Sequence, residues 1–172
     1  HPIIAIGHLI EKTEKLLRRC FPKNQKGEFW GGICLVVVVT AVSTAVPLAL
    51  TLLCYRVHPL LGFLEESLLC WMILAAKSLK TESMRVAKAL EQEGLSAGRT
   101  AVSFIVGRDT AHLDEPGVVK AAVETVAENA SDGVIAPLLF LALGGPTLGF
   151  FYKSVNTMDS MVGYKNETYL YF

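Results

Sequence analysis

Phe29-Trp-Gly-Gly-Ile-Cys-Leu-Val-Val-Val-Val-Thr-Ala-Val-Ser-Thr-Ala-Val-Pro-Leu-Ala-Leu-Thr-Leu-Leu-Cys-Tyr55 decides the fold. The stretch runs for 27 positions without a charged residue. As an α-helix at ~1.5 Å per residue it reaches about 40 Å, more than the ~30 Å hydrocarbon core of a bilayer. The β-branched run at 36–40 would suit a buried strand on its own. The length of the uncharged block decides instead for a transmembrane helix, free to tilt and with Pro47 as a point of kinking.

Outward from this block the chain keeps to the same solvent. Residues 60–76 form a second apolar run, reached through a short connection at 56–59. Glu65 and Glu66 lie inside it, and a carboxylate in hydrocarbon is costly, so both are expected to face protein, water or headgroups. Before the first span, residues 1–20 read as an amphipathic helix, with Ile6, Leu9, Ile10, Leu16 and Leu17 opposed to Glu11, Lys12, Lys15, Arg18 and Arg19. Lys12, Lys15, Arg18, Arg19, Lys23 and Lys26 form a basic collar, and Lys77, Lys80, Arg85 and Lys88 follow the second span. Both spans thus carry their basic ends on one side, which the positive-inside rule places in the cytoplasm.

Composition agrees. Hydrophobic residues make up 52% of the chain and mean hydropathy is +0.43, concentrated in three blocks, which favours insertion into a membrane over a large soluble core. Lys+Arg and Asp+Glu both number 16, so no net charge argues for nucleic acid. Cys20, Cys34, Cys54 and Cys70 show no metal or redox spacing and read as small hydrophobes. The expected fold is all-α: a polytopic membrane helical bundle with cytoplasmic amphipathic helices at 77–132, a Gly/Pro-broken hydrophobic segment at 133–152, and a polar helix and tail at 153–172.

Within 77–132, residues 81–93 form a polar helix stopped by Gly94, and 96–106 another stopped by Gly107. Asp114 then serves as N-cap, with Pro116 in the first turn of the next helix. On that helix Lys120, Glu124 and Glu128 recur every fourth residue, and Thr125, Asn129 and Asp132 complete one polar half. Val119, Val123, Val126 and Ala130 form the opposite stripe. A surface helix shows the same amphipathic period, so the pattern by itself does not establish a site. Residues 133–152 lack charge, but Pro137, Gly144, Gly145 and Pro146 interrupt them. Two short helices or a re-entrant hairpin fit better than one straight span. Beyond them Lys153, Asn156 and Ser160 share a face with Asp159 alongside, and Gly163 closes the helix.

The carboxylates and amides of these two polar faces are hard oxygen donors, suited to Mg²⁺ rather than Zn²⁺. Arg108, Lys153 and Lys165 supply charge for phosphate oxygens. Such a combination serves phosphoryl transfer from a nucleotide, where catalysis is largely positioning and charge neutralisation. There is no phosphate-binding GxxxxGK[ST] loop, no HExxH and no nucleophile elbow.

The residues carry a resemblance as well. Lys77-Ser-Leu79, Ile105-Val-Gly-Arg-Asp-Thr110, Ala121-Ala-Val-Glu-Thr-Val-Ala-Glu-Asn129, Ser131-Asp-Gly133, Ala136-Pro-Leu138, Gly144-Gly-Pro146, Tyr152-Lys153, Asn156-Thr157, Asp159-Ser-Met161 and Gly163-Tyr-Lys165 resemble, in order, the CobD/CbiB family of cobalamin biosynthesis. Ala130 and Met158 are mild departures, standing where threonine and leucine are usual. The resemblance implies adenosylcobinamide-phosphate synthase: an integral membrane enzyme joining adenosylcobyric acid, a corrinoid, to (R)-1-aminopropan-2-ol O-phosphate by an amide bond, with ATP as co-substrate and Mg²⁺. Side-chain chemistry then assigns metal binding to Glu124, Glu128, Asp132 and Asp159, and catalytic roles to Asp109, Glu124, Glu128 and Lys153. Arg108, Asn129, Asn156, Ser160 and Lys165 are expected to contact ATP or phosphate, with metal ligands and phosphate contacts not separable. Asp109 or a carboxylate not bound to metal is the expected general base. Expected partners are the two substrates and membrane lipid, with no nucleic acid and with room for a homo-oligomer.

The resemblance also implies a longer chain, with a further N-terminal span and C-terminal half. Two other readings compete: a non-catalytic AmpE-like membrane sensor of the same superfamily, and a transporter with broken helices. Retention of both polar groups favours the enzyme, and no inverted repeat supports the transporter.

Overall fold

The computed structural model describes residues 1–107 and 109–172. Among the described residues every regular element is helical: α1 (Pro2–Cys20), α2 (Gln25–Val57), α3 (Pro59–Ile73), α4 (Ala76–Glu93), α5 (Leu95–Ser103), α6 (Glu115–Ala130), a π-helical turn (Ser131–Ile135) and α7 (Ala136–Val162). Three helical stretches are long and apolar enough to cross a membrane: Gln25–Val57, Pro59–Glu93 and Glu115–Val162. The chain divides into two compact units, one of residues 1–73 and 137–172, the other of residues 74–136.

In the first unit α2 begins where the Asn24 side chain accepts a hydrogen bond from the Gly27 amide at 2.8 Å, satisfying one of the helix's unpaired N–H groups. Its buried residues step by four: Gly27, Gly31, Leu35, Val39, Ser43, Pro47 and Thr51. Four residues advance an α-helix by about 40° beyond a full turn, so this stripe winds round the helix and meets different neighbours along its length. Small residues at these positions let other backbones approach closely. Val36, Val37, Leu52 and Leu53 stand exposed on the remaining surface, as suits a helix whose solvent is lipid. The core joins α1, α2, α3 and α7 through Ile6, Ile10, Leu35, Val39, Ile73, Phe150 and Met158.

The two acidic residues of the second apolar run face protein. Thr51 Oγ1 donates to Glu65 Oε2 at 2.9 Å and the Tyr55 hydroxyl donates to Glu66 Oε2 at 2.6 Å. Each bond ties α3 to α2, and in an apolar surround such bonds offset part of the cost of the carboxylates.

The uncharged segment folds as a hairpin. Backbone angles leave the helical region at Gly144 and at Gly145, whose φ is +59° and ψ −159°. Pro146 follows, where a new helix has no use for an N–H. The Phe140 ring lies 5.0 Å from the Tyr152 ring and 6.3 Å from that of Phe151. A straight helix would separate residues twelve apart by about 18 Å along its axis, so the two arms, 136–143 and 146–162, lie against each other.

In the second unit α4 starts at Ala76 rather than near Thr81, because nothing between 76 and 81 opposes a helix. Gly94 ends it at φ +85°, a conformation that glycine adopts without cost. The core is Val86, Ala101, Val102, Val118 and Ala121, drawn from α4, α5 and α6. The Asp114 carboxylate accepts from the Gly117 amide at 2.9 Å and caps α6, with Pro116 in its first turn.

Candidate functional site

The polar residues singled out from the sequence divide between the units. Glu124, Glu128, Asn129 and Asp132 belong to the second, where α4 and α6 run antiparallel. Val86 packs beside Val118 and Ala121 at one end of their seam. At the other end the Ala75 amide donates to the Gly133 carbonyl at 3.0 Å. Between these ends the seam changes character. Ser78, Leu79, Glu82 and Ser83 of α4 face Thr125, Val126 and Asn129 of α6 across a cleft of about 260 Å³, with Ile105 at its side. Four of the resembling motifs therefore meet there or on its floor: those holding Ser78, Ile105, Asn129 and Gly133.

Glu124 and Glu128 lie exposed on α6 beside this cleft, Glu124 with the Lys120 ammonium at 3.8 Å. The α-helical row ends there. Asp132 is half-buried in the π-helical turn, whose i→i+5 bonding breaks the α-helical register and which is a frequent mark of functional sites. Asn129 directs its Nδ2 to the Thr125 carbonyl at 2.9 Å. Among the described residues no three carboxylate, imidazole or thiolate groups converge as a metal cage requires.

The loop before α6 is held by its own polar contacts. Arg99 Nε donates to the Leu113 carbonyl at 2.6 Å, and the buried Thr110 hydroxyl donates to the Arg99 carbonyl at 3.1 Å. Asp109 is exposed and its carboxylate accepts from the Ala111 amide at 3.0 Å, with His112 Nε2 at 3.9 Å from its other oxygen. Arg108, expected to contact phosphate, lies outside the described residues.

In the first unit, Lys153, Asn156, Asp159 and Ser160 occupy the second arm of α7, and Lys165 lies beyond its end. They do not form one uniform exposed face. Lys153 is buried at 5% exposure, Asn156 is half-buried, and Asp159, Ser160 and Lys165 are exposed. Burial falls off along the arm because Phe150, Lys153, Ser154 and Met158 all lie on its packed side. Thr157 and Ser160 turn their hydroxyls back to the carbonyls of Lys153 and Asn156, at 2.7 and 3.0 Å. The Gly163 amide donates to the Asp159 carbonyl at 3.1 Å and closes the helix.

Two groups of residues escaped the sequence reading. Glu82 and Ser83 line the α4–α6 cleft, although α4 had shown only a polar period. Arg18 binds the segment that follows Lys165: Nη2 donates to the Thr168 carbonyl at 3.0 Å, and the guanidinium sits 4.2 Å from the Phe172 ring centre. Contacts across 150 residues leave no periodic trace in a sequence.

A family model described as "CobD/Cbib protein" matches residues 1–172. Among curated proteins, the cobalamin biosynthesis protein CobD of Geobacter metallireducens is 51% identical over 172 residues, covering 100% of this chain and 53% of that protein. CobD of Clostridium perfringens is 44% identical over 169 residues, 98% of this chain and 53% of its own length. The cobalamin biosynthesis protein CbiB of Salmonella typhi is 43% identical over 169 residues, again 98% and 53%. The chain spans about half the length of these relatives. No solved structure matches it.

Proposed function

The chain belongs to the CobD/CbiB family and so to cobalamin biosynthesis, and from that premise we propose that it is part of an ATP-dependent amide ligase acting at the cytoplasmic face of the membrane. The reaction joins the propionate carboxylate of adenosylcobyric acid to the amine of (R)-1-aminopropan-2-ol O-phosphate. The observation that carries the reading is the α4–α6 seam. Hydroxyls of Ser78, Ser83 and Thr125, the Asn129 amide and the Glu82 carboxylate line a cleft there between two packing helices, beside the exposed Glu124 and Glu128.

An amide does not form from a carboxylate and an amine without activation. Transfer of the ATP γ-phosphoryl group to the corrinoid carboxylate makes an acyl phosphate. The amine nitrogen then attacks the acyl carbon, the C–O bond to phosphate breaks, inorganic phosphate leaves, and the amine surrenders a proton. Arg108, Lys153 and Lys165 have the charge to hold phosphate oxygens, and Asn129, Asn156 and Ser160 the hydrogen-bonding groups to orient them. Asp109, exposed and with His112 nearby, has the carboxylate to act as general base toward the amine. Mg²⁺, held by one or two of Glu124, Glu128, Asp132 and Asp159, would neutralise the triphosphate.

The test uses the full-length protein in detergent with adenosylcobyric acid, aminopropanol phosphate, ATP and Mg²⁺, and looks for the amide by mass spectrometry. Wild type should form it, and Glu128→Ala should form it about 10²-fold more slowly, the loss typical of removing one electrostatic stabiliser. Cobyric acid recovered unchanged from folded wild type would overturn the reading.

A further inference from the structure

We propose that the α4–α6 cleft is a subsite for a small hydroxylated ammonium group, with Glu82 as its anchor. The proposal rests on the ligase reading only in naming that group as the amine end of the amino-alcohol substrate.

The argument begins with the face of α4. Residues 75, 78, 79, 82, 83 and 86 lie on one stripe at the spacing that a packing helix fills with apolar side chains. Val86 obeys this and is 2% exposed in the core. One and two turns earlier the same stripe holds Glu82, Ser83 and Ser78, opposite Thr125 and Asn129. Ser78 and Asn129 lie at the open rim of the cleft, while Glu82, Ser83 and Thr125 are half-buried and partly withdrawn from water, which favours a polar partner. Among the described residues, the hydroxyls of Ser78 and Thr125 bond to no protein group, while Ser83 donates only to the Lys80 carbonyl at 3.1 Å. The cleft thus offers hydroxyls and an amide to something else.

Charge and size define what that is. Among the described residues lining the cleft, Glu82 alone brings a formal charge. Among the described residues no lysine, arginine or histidine lines it, and the 61% exposed Arg85 meets Glu82 from outside the lining, so a phosphate placed inside would face the carboxylate. A protonated amine gains that same carboxylate, and a neighbouring hydroxyl on the ligand gains Ser78, Ser83, Thr125 or Asn129 as partners. A volume of about 260 Å³ lies just below the range of ~300–1,000 Å³ usual for ligand pockets, which admits an amino alcohol and excludes a corrinoid ring. In the ligase the phosphate of the substrate would then lie outside the cleft.

Arg85 supplies an internal control. Its Nη1 lies 3.2 Å from Glu82 Oε2, with the arginine side chain 61% exposed. A pair so open to solvent contributes little to stability, but it competes with any ligand ammonium for the same oxygen. Removing Arg85 should therefore strengthen amine binding, whereas removing the Glu82 charge should weaken it. A purely structural role for the pair predicts the same direction for both.

The experiment is saturation-transfer NMR titration of the full-length protein in detergent with 1-aminopropan-2-ol, and with propane-1,2-diol as the probe lacking the amine. Thermal melting checks that every variant is folded. Wild type should bind the amine and not the diol, Glu82→Gln should bind it about tenfold more weakly, and Arg85→Gln more tightly. Equal binding by wild type and folded Glu82→Gln, equal binding of the diol, or no binding by wild type overturns the subsite. Turnover with the phosphorylated amine on the same preparations separates the two ideas. Product from wild type with an unchanged amine KM in Glu82→Gln sinks the subsite and leaves the ligase. Glu82-dependent amine binding without any product upholds the subsite and sinks the ligase.

Discussion

At the scale of single residues, Arg18 does the most for the end of the described chain. Its Nε pairs with Glu14 Oε1 at 2.8 Å, a hydrogen bond runs to the Thr168 carbonyl, and its guanidinium lies 5.3 Å from the Tyr169 ring centre and 4.2 Å from that of Phe172. Planarity lets one guanidinium donate in its plane and stack on its faces at once, which lysine cannot do. Each cation–π contact is worth ~0.5–2 kcal/mol. Arg18→Ala should therefore raise hydrogen exchange across residues 166–172 by roughly fivefold or more, the factor for about 1 kcal/mol, and Arg18→Lys should not restore protection. The docking should also depend on pH. Partial burial raises the Tyr169 phenol above its ordinary 10.0, and the charge of Glu14 and the bond to it add to this against the opposing charge of Arg18. The folded state therefore keeps the phenolic proton more tightly than the unfolded one. The contribution is complete below pH 10 and is lost as pH rises through the raised value, so exchange should quicken there even in wild type. Exchange indifferent to Arg18 would rule the clamp out.

At the scale of elements, the hairpin in α7 turns on one residue. Gly145 has φ +59° and ψ −159°, a combination that costs a residue with a Cβ ~1–3 kcal/mol. Gly144, at φ −159°, sits in extended backbone open to any residue, and its added Cβ would meet the flexible Leu148 side chain. Gly145→Ala should thus lower unfolding free energy in detergent by about 1–3 kcal/mol, and Gly144→Ala by less. Equal losses would mean that packing, not backbone conformation, sets the cost. These are also the features that a sequence displays well. Gly144-Gly-Pro146 announced the break, Asp114 the cap and Gly94 the stop, because each is local chemistry written in adjacent residues. Glu82 was illegible for the opposite reason. A polar stripe on α4 has the same period whether it faces water or Asn129 of α6, and only packing distinguishes the two. The buried position of Lys153 was hidden likewise: its face was inferred from the polar neighbours Asn156 and Ser160, while Phe150 and Met158 drew the other side of the arm into the core.

At the scale of the whole molecule, the surface of the first unit fixes the solvent but not the direction of insertion. Val37, Leu52, Leu53, Phe63 and Trp71 are all more than half exposed, an arrangement stable in lipid and unstable in water. Direction follows from charge. Lys12, Lys15, Arg18, Arg19, Lys23 and Lys26 lie before or at the start of α2, whereas Arg56 is the one lysine or arginine at the α2–α3 connection. The positive-inside rule therefore predicts Lys23 in the cytoplasm and His58 on the far side. In cells expressing a variant without the four native cysteines, a membrane-impermeant thiol reagent should label His58→Cys from outside. It should reach Lys23→Cys only after the membrane is opened. The result bears on the proposed chemistry as well as topology, since ATP is a cytoplasmic metabolite and a ligase acting on it would need its site on that side. The reverse labelling pattern would leave the fold and the family untouched, yet would remove the nucleotide from reach of the proposed site.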